Sequence, residues 1–268
     1  MSLRRFYAPR DAFPPSGEAA GEVVLSAEES RHLRDVLRLR AGDEATVFDG
    51  EGREFACVVR EPGGGRGRGE ARGAAVAVLD VHGPAEPPRP ESPLALALAV
   101  ALLKGEKFDL VVQKATELGV RAVVPVVTRR VDVRLRDARD ASARLERWRR
   151  LALEAAKQSG RARVPTVAEP AEFSQFVATV ASEGERRLMF SEREGAALAG
   201  ALGGTDEAAA PAAVTALVGP EGGWESEEIE AARAAGWRVV TLGGRVLRAE
   251  TAAIAVAALL QHLCGDLR

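Results

Sequence analysis

Cysteine is nearly missing from this chain. Cys57 and Cys264 are the only two in 268 residues, far apart and at no metal-binding or redox spacing. That excludes a disulfide scaffold and suits a reducing compartment, so a cytoplasmic protein is expected. The three histidines point to no metal site either: His32 sits on an arginine-rich stretch, His82 at a strand end and His262 in a final helical turn. Long apolar runs are equally scarce. LALALAVALL, Leu94–Leu103, is about half of the roughly 20 residues needed to cross a bilayer, and reads as a buried strand or helix core. The opening MSLRRFYAPR has charge and aromatics but no apolar stretch, so no secretory leader is expected.

What is present is ordinary for a folded protein: 46% apolar and 28% charged residues, with a net charge of −2. The length supports one large domain or two modest ones. Positive charge, however, is concentrated. Between Arg121 and Arg163 stand 13 Lys or Arg against 5 Asp or Glu, either a solvated arginine-rich helix face or a patch aimed at a polyanion.

Residues 1–83 are β-rich. GEVVLS, DEATVFDG, REFACVVRE and AAVAVLDV are short valine-rich segments between glycine and acidic turns, as in a small barrel or sandwich. Among them, SAEESRHLRDVLRLRAGD predicts a short helix, with Ser26 as N-cap and Glu29 at capping-box spacing. The tip Gly63–Gly73 and a later loop, Gly203–Ala213, read as surface variation too polar and small to pack. The prolines of GPAEPPRPESP resist both helix and ladder, so residues 84–93 are expected to form an extended linker.

From 94 to 268, continuous apolar strands alternate with helices. In ASARLERWRRLALEAAKQSG, Leu145, Trp148, Ala152 and Ala155 share a face and Gly160 ends the helix. The alternation predicts an α/β domain with a mostly parallel sheet covered on both faces.

Ligands of such sheets sit beyond the carboxyl ends of strands. Two strand ends carry glycine loops, VGPEGGWE and TLGGRVLRAET, and neither is a phosphate cradle: GxxxxGK[ST] and GxGxxG are both missing. A dinucleotide-dependent oxidoreductase therefore lacks its fingerprint. Glu221, Glu225, Glu227 and Glu228 surround the next helix start, where carboxylates complement the macrodipole and repel phosphate. A positively charged nucleoside without phosphates, such as S-adenosylmethionine, suits that turn; an ordinary turn beside a helix cap is the plainer alternative.

Six stretches then occur in order: RRFY, HLRDVLRLRAGD, QKATELGV, EAAKQSGRARVP, VGPEGGW and LGGRVLRAETA. Together they resemble the bacterial small-subunit ribosomal RNA uridine-N3 methyltransferases of the knotted (SPOUT) superfamily. The resemblance implies a small PUA-like RNA-binding β-barrel over 1–83. It implies a SPOUT methyltransferase domain with a deep trefoil knot over 94–268. S-adenosylmethionine would be held bent by three backbone loops. The contacts implied are Phe190 in the first, Leu217, Val218, Gly219, Glu221, Gly222 and Gly223 in the second, and Leu242, Gly243, Val246, Leu247, Arg248 and Thr251 in the third. A homodimer through knot-region helices is also implied; the apolar helix Ile254–Leu263 suits that, though burial within one chain explains it equally well. The substrate would be small-subunit ribosomal RNA, free or in the assembled subunit. No membrane and no metal are expected.

Uridine N3 is a poor nucleophile until its proton is lost, so a carboxylate and a cation are wanted nearby. Glu250 and Arg248 are the candidates. Glu250 reads equally as a helix N-terminal carboxylate, and Arg248 as a grip on a phosphate or on the cofactor carboxylate. Glu117 is expected to pair structurally with an arginine. Candidate phosphate contacts are Arg4, Arg5, Arg34 and Arg38 in the first part, and Arg129, Arg130, Arg161 and Arg163 in the second. Phe6 and Tyr7 could stack on a displaced base, with core packing the other reading of Phe6. A non-catalytic RNA-binding protein on the same fold is the competing class.

Overall fold

A computed structural model describes residues 4–13, 21–60, 76–133, 137–203 and 211–268. The glycine–arginine tip at 63–73 and most of the 203–213 loop fall outside those ranges. The chain forms two compact units: Met1–Glu91 together with Ala156–Val164, and Ser92–Ala155 together with Pro165–Arg268. The first therefore borrows a segment from well beyond the expected boundary.

Among the described residues the first unit is a five-stranded sheet: β1 (Arg5–Tyr7), β2 (Gly21–Val24), β3 (Glu44–Phe48), β4 (Glu54–Val59) and β5 (Val78–Ala85), in the order β1-β3-β4-β5-β2. β1 runs parallel to β3 and the other pairings are antiparallel. Among the described residues no ladder joins β1 to β2, so the sheet is open where a closed barrel was expected. Helix α1 (Ala27–Arg31) follows β2, and Leu25 and Leu33, just before and after it, pack with Phe6, Val23, Val47 and Leu79 in the core.

Ser26 caps α1 by accepting from the Glu29 N–H at 3.2 Å. Half of the expected capping box is missing, because the Glu29 carboxylate turns to Lys157 Nζ at 2.5 Å. The helix then widens into a π-turn over His32–Val36, and Arg38 takes a left-handed φ of 56°. The wider turn and that reversal let Leu33 and Leu39 both reach the core.

The expected linker also begins too early. Pro84 pairs with Phe55 and Ala85 with Glu54 on β4. Among the described residues β2 accompanies β5 only as far as Val81, so Pro84 has β4 as its one described neighbour there and its missing N–H breaks no second described ladder.

Among the described residues the second unit has eight strands: β6 (Ala95–Ala101), β7 (Ala122–Val127), β8 (Thr166–Val167), β9 (Ala171–Glu172), β10 (Glu185–Phe190), β11 (Ala196–Ala197), β12 (Ala213–Val218) and β13 (Arg238–Thr241). Their order is β11-β13-β10-β12-β6-β7-β8, with β9 also on β7, and every pairing is parallel. The helices are α2 (Lys107–Glu117), α3 (Ala138–Ser159), α4 (Phe173–Val177), α5 (Leu198–Leu202), α6 (Ser226–Ala234) and α7 (Ala249–Cys264).

The apolar run at 94–103 is β6 and its continuation, buried at Leu96 and from Leu98 to Leu103, as a strand covered on both faces must be. On α3 the four patterned residues Leu145, Trp148, Ala152 and Ala155 are all buried, and Gly160 with φ +79° follows its end. Glu117 pairs with Lys114 one turn back, at 2.9 Å, instead of with an arginine. Among the described residues no helix is long and apolar enough to cross a membrane.

Candidate active site

β10, β12 and β13 lie side by side with β10 in the middle, and their carboxyl ends open into one cleft of about 440 Å³. Its walls are residues 190–192, 218–223 and 241–249, completed by Ala252 and Val256 of α7. Parallel strands deliver this arrangement directly, because they release their loops at the same edge.

The glycines in these loops serve different ends. Gly219 backs onto Trp224: a Cβ there would come within 2.9 Å of the indole. At Gly223, φ is +68°, a conformation that favours glycine, and a Cβ there would displace the end of the Glu192 side chain, whose Oε1 stands 2.5 Å away. Gly243 and Gly244 have φ of +67° and +70° with open space where a side chain would stand, and both line the cleft. Only this second pair leaves the backbone bare toward the cavity. Trp224 is the hidden support: it is 1% exposed, its Nε1 donates to the Phe190 carbonyl at 2.8 Å, and it packs in one cluster with Phe173, Met189 and Leu217.

The acidic turn divides in a way its sequence did not reveal. Glu225 and Glu228 form a capping box on α6, with the Glu225 N–H donating to Glu228 Oε2 at 3.0 Å. Arg130 then donates to Glu225 Oε1 at 2.7 Å and to the Gly222 carbonyl at 2.9 Å. That hydrogen bond lowers the Glu225 pKa and raises that of Arg130. Glu227 faces Arg129 at 3.6 Å. Of the four carboxylates only Glu221 lines the cleft, joined there by Glu192 from the first loop.

Glu221 Oε1 accepts from Lys107 Nζ at 2.8 Å. Burial pushes the Glu221 pKa up, but Lys107 together with backbone N–H groups at Glu221 and Lys104 outweighs it and the net shift is downward; the lysine bond raises Lys107 in turn. Lys107 is the first residue of α2, where a cation opposes the macrodipole. Its position is explained by what it holds, since Glu250 Oε2 also lies 3.8 Å from Nζ.

A model described as an RNA methyltransferase domain matches residues 90–261, and one described as an RNA methyltransferase PUA domain matches 25–69. The Ribosomal RNA small subunit methyltransferase E of Synechocystis is 36% identical over 86% of this chain and 69% of its own length. The protein of the same name from Mycobacterium bovis is 33% identical over 94% of this chain and 89% of its own. The chain belongs to this methyltransferase family. A solved member from Neisseria gonorrhoeae, bound to S-adenosyl methionine, superposes with a TM-score of 0.81 at 32% identity, over 99% of this chain and 100% of its own.

Within that family frame, the expected residues sort by geometry. Phe190, Val218, Gly219, Glu221, Gly222, Gly223, Leu242, Gly243, Val246, Leu247 and Arg248 all line the cleft. Leu217 does not: it is wholly buried beneath, in the Trp224 cluster. Thr251 is exposed and off the cleft wall. Arg248 stands on the wall as the N-cap of α7 without bonding the helix through its side chain. Glu250 is off the wall; among the described residues its buried Oε2 has no hydrogen-bond partner, and Lys107 Nζ lies 3.8 Å from it.

Two of the expected phosphate contacts are removed outright. Arg5 is 4% exposed, bonded to Glu54 at 3.0 Å and to the Arg161 carbonyl at 2.9 Å. Arg161 is 5% exposed and paired with Glu91 at 2.7 Å. Both guanidiniums are consumed inside the first unit. Arg130 is committed to the α6 cap, while Arg129 stays exposed beside Glu227. Arg4 and Arg38 are exposed, and Arg34 and Arg163 half-buried. Phe6 is core, and Tyr7 tilts against Phe48 with ring centroids 5.4 Å apart.

Sequence reasoning overlooked Trp224, Lys107 and Arg245. Lys107 carried a signal, a lysine at a helix start; Trp224 carried none beyond its place after two glycines.

Proposed function

We propose that this chain is an S-adenosylmethionine-dependent methyltransferase that methylates N3 of a uridine in small-subunit ribosomal RNA. The cleft at the ends of β10, β12 and β13 carries the reading. Its volume is that of a small-molecule site, and the bare backbone at Gly243 and Gly244 leaves room for a ligand that bends. Two carboxylates stand on one side and Arg245 and Arg248 on the other, with no lysine on the wall. That suits a zwitterion bearing an extra positive charge and disfavours a pyrophosphate.

The residues that would hold the cofactor are the backbones at 190–192, 218–223 and 242–247. Once bound, S-adenosylmethionine supplies an electrophilic methyl on a sulfonium. The protein's part is alignment and exclusion of water, an effect of several kcal/mol. N3 gives up its proton to solvent as it attacks, and Arg248 holds the negative charge that develops on the uracil oxygens. Glu250 we assign a positioning role: with Glu221 it shares Lys107, which ties the second loop to the start of α7.

The reading extends to a trefoil knot through the last segments, a cytoplasmic setting, and a homodimer paired through the outer face of α7, where Leu259 and Leu263 are exposed. Arg4, Arg34, Arg38 and Arg163 remain as phosphate contacts. The decisive test has two arms. Calorimetry with S-adenosylmethionine is expected to show binding by wild type and, within a few fold, by Arg248→Ala, whose turnover falls about 100-fold or more. Base mapping of ribosomal RNA from a strain lacking the protein is expected to show a lost N3-methyluridine that re-expression restores. An unmodified-base map identical in both strains would end the reading.

A further inference from the structure

The third loop is not uniform. Gly243 and Gly244 turn it away from β13, and buried Ala249 anchors its far end in α7. Between them Arg245, Val246, Leu247 and Arg248 stand in sequence along the cleft wall. Val246 is 82% exposed and Leu247 37% exposed, so these two aliphatic side chains form the lip of the cleft more than its floor. Arg245 and Arg248 are exposed and have no ion pair among the described residues. The other loops contrast with this: Arg130 is bound to Glu225, Arg193 to Glu192 and Lys107 to Glu221.

A lip that offers apolar surface between two uncompensated cations fits a ligand with a flat apolar face and an anionic link. A nucleotide of an RNA strand is such a ligand. The opposite wall leaves the choice with the arginine side, because its carboxylates Glu192 and Glu221 already pair with Arg193 and Lys107 and leave a phosphate no free cation there.

We propose that the Arg245–Arg248 lip docks the acceptor nucleotide, its base against Val246 and Leu247 and its neighbouring phosphate on Arg245. This rests on the reading of the chain as an RNA methyltransferase, and it divides the third loop between two ligands. The glycine backbone serves the cofactor, and the exposed side chains serve the RNA. A base displaced from its stack needs such a surface to rest on while the reacting nitrogen is aligned.

The test uses the full-length protein and small ribosomal subunits purified from a strain that lacks it, so that the target is unmodified. Affinity for the subunits and affinity for S-adenosylmethionine are measured separately for wild type, Arg245→Gln, Val246→Ser and Val246→Leu. Arg245→Gln is expected to weaken subunit binding about 5- to 10-fold and to lower the salt slope by about 0.7, the contribution of one phosphate contact on a single strand. Val246→Ser is expected to raise the KM for subunits without lowering salt sensitivity, and Val246→Leu to restore it. Because each variant keeps the loop backbone, cofactor affinity is expected to change less than subunit affinity in every case. If Arg245→Gln and Val246→Ser weaken the cofactor and leave subunit binding untouched, or change neither, the lip does not dock RNA. A wild type that binds subunits but no S-adenosylmethionine would instead sink the methyl-transfer reading while the lip assignment still stood on the subunit data.

Discussion

The two units keep their charges in opposite places. The first buries them: Arg5 against Glu54 with both side chains 2% exposed, and Arg161 against Glu91, while the Arg5 guanidinium also lies 4.0 Å from the Phe48 ring centroid. The second buries mainly hydrocarbon along its parallel strands, and Glu221, Glu225, Lys107 and Arg130 pair around the loops beyond the strands' carboxyl ends. Size and topology account for the difference. A five-stranded open sheet has a modest core, and directional ion pairs tie it to the distant 156–164 segment. A sheet covered on both faces is held chiefly by burial, which leaves the polar groups of its loops to shape a site.

That contrast can be broken from either end. The largest effect is expected in the second unit. Trp224→Ala removes a fully buried indole and its bond to the Phe190 carbonyl, and should cost about 3–5 kcal/mol in urea unfolding. Because Gly219 and Phe190 both lean on that ring, S-adenosylmethionine affinity should fall with it; unchanged affinity in a folded variant would separate the cleft from its support.

In the first unit, Arg5→Ala leaves Glu54 charged and buried, a loss of about 3 kcal/mol. The double change Arg5→Met with Glu54→Leu should recover most of that, since two apolar groups need no partner. If it recovers nothing, the pair does more than compensate itself.

The smallest effect concerns the exposed cap on α6. Arg130 depresses the Glu225 pKa, so the pair's contribution is complete above the ordinary glutamate value of 4.5 and is lost as pH falls through the lowered folded value. Thermal melts below about pH 4.5 should therefore lose a term that Glu225→Gln never had, a difference of at most about 2–4 °C. Curves for wild type and variant that stay parallel from pH 7 to 3 would remove Arg130 from that role.

How much was legible follows from how local each feature is. The α3 face, the Gly160 stop and the Ser26 cap were readable because each depends on spacing within a turn or two. Pro84 misled because its tolerance depends on whether β2 still flanks β5 at that point, a fact about a strand some sixty residues away in sequence. Arg5 and Arg161 misled for a related reason: an arginine looks the same whether a carboxylate waits for it inside or RNA outside. Glu250 was assigned by its neighbours in sequence, while the structure gives it a lysine from another helix.

Alternation of apolar strands with helices, the glycine loops and the lack of a phosphate fingerprint were determined by the sequence alone, since they express backbone conformation and hydrophobic period, which act over a few residues. Which carboxylates face the cleft, which arginines are consumed in the interior and which loop presents an uncovered lip were decided only by the tertiary structure. Charge acts through space, and the chain must fold before any cation has a partner.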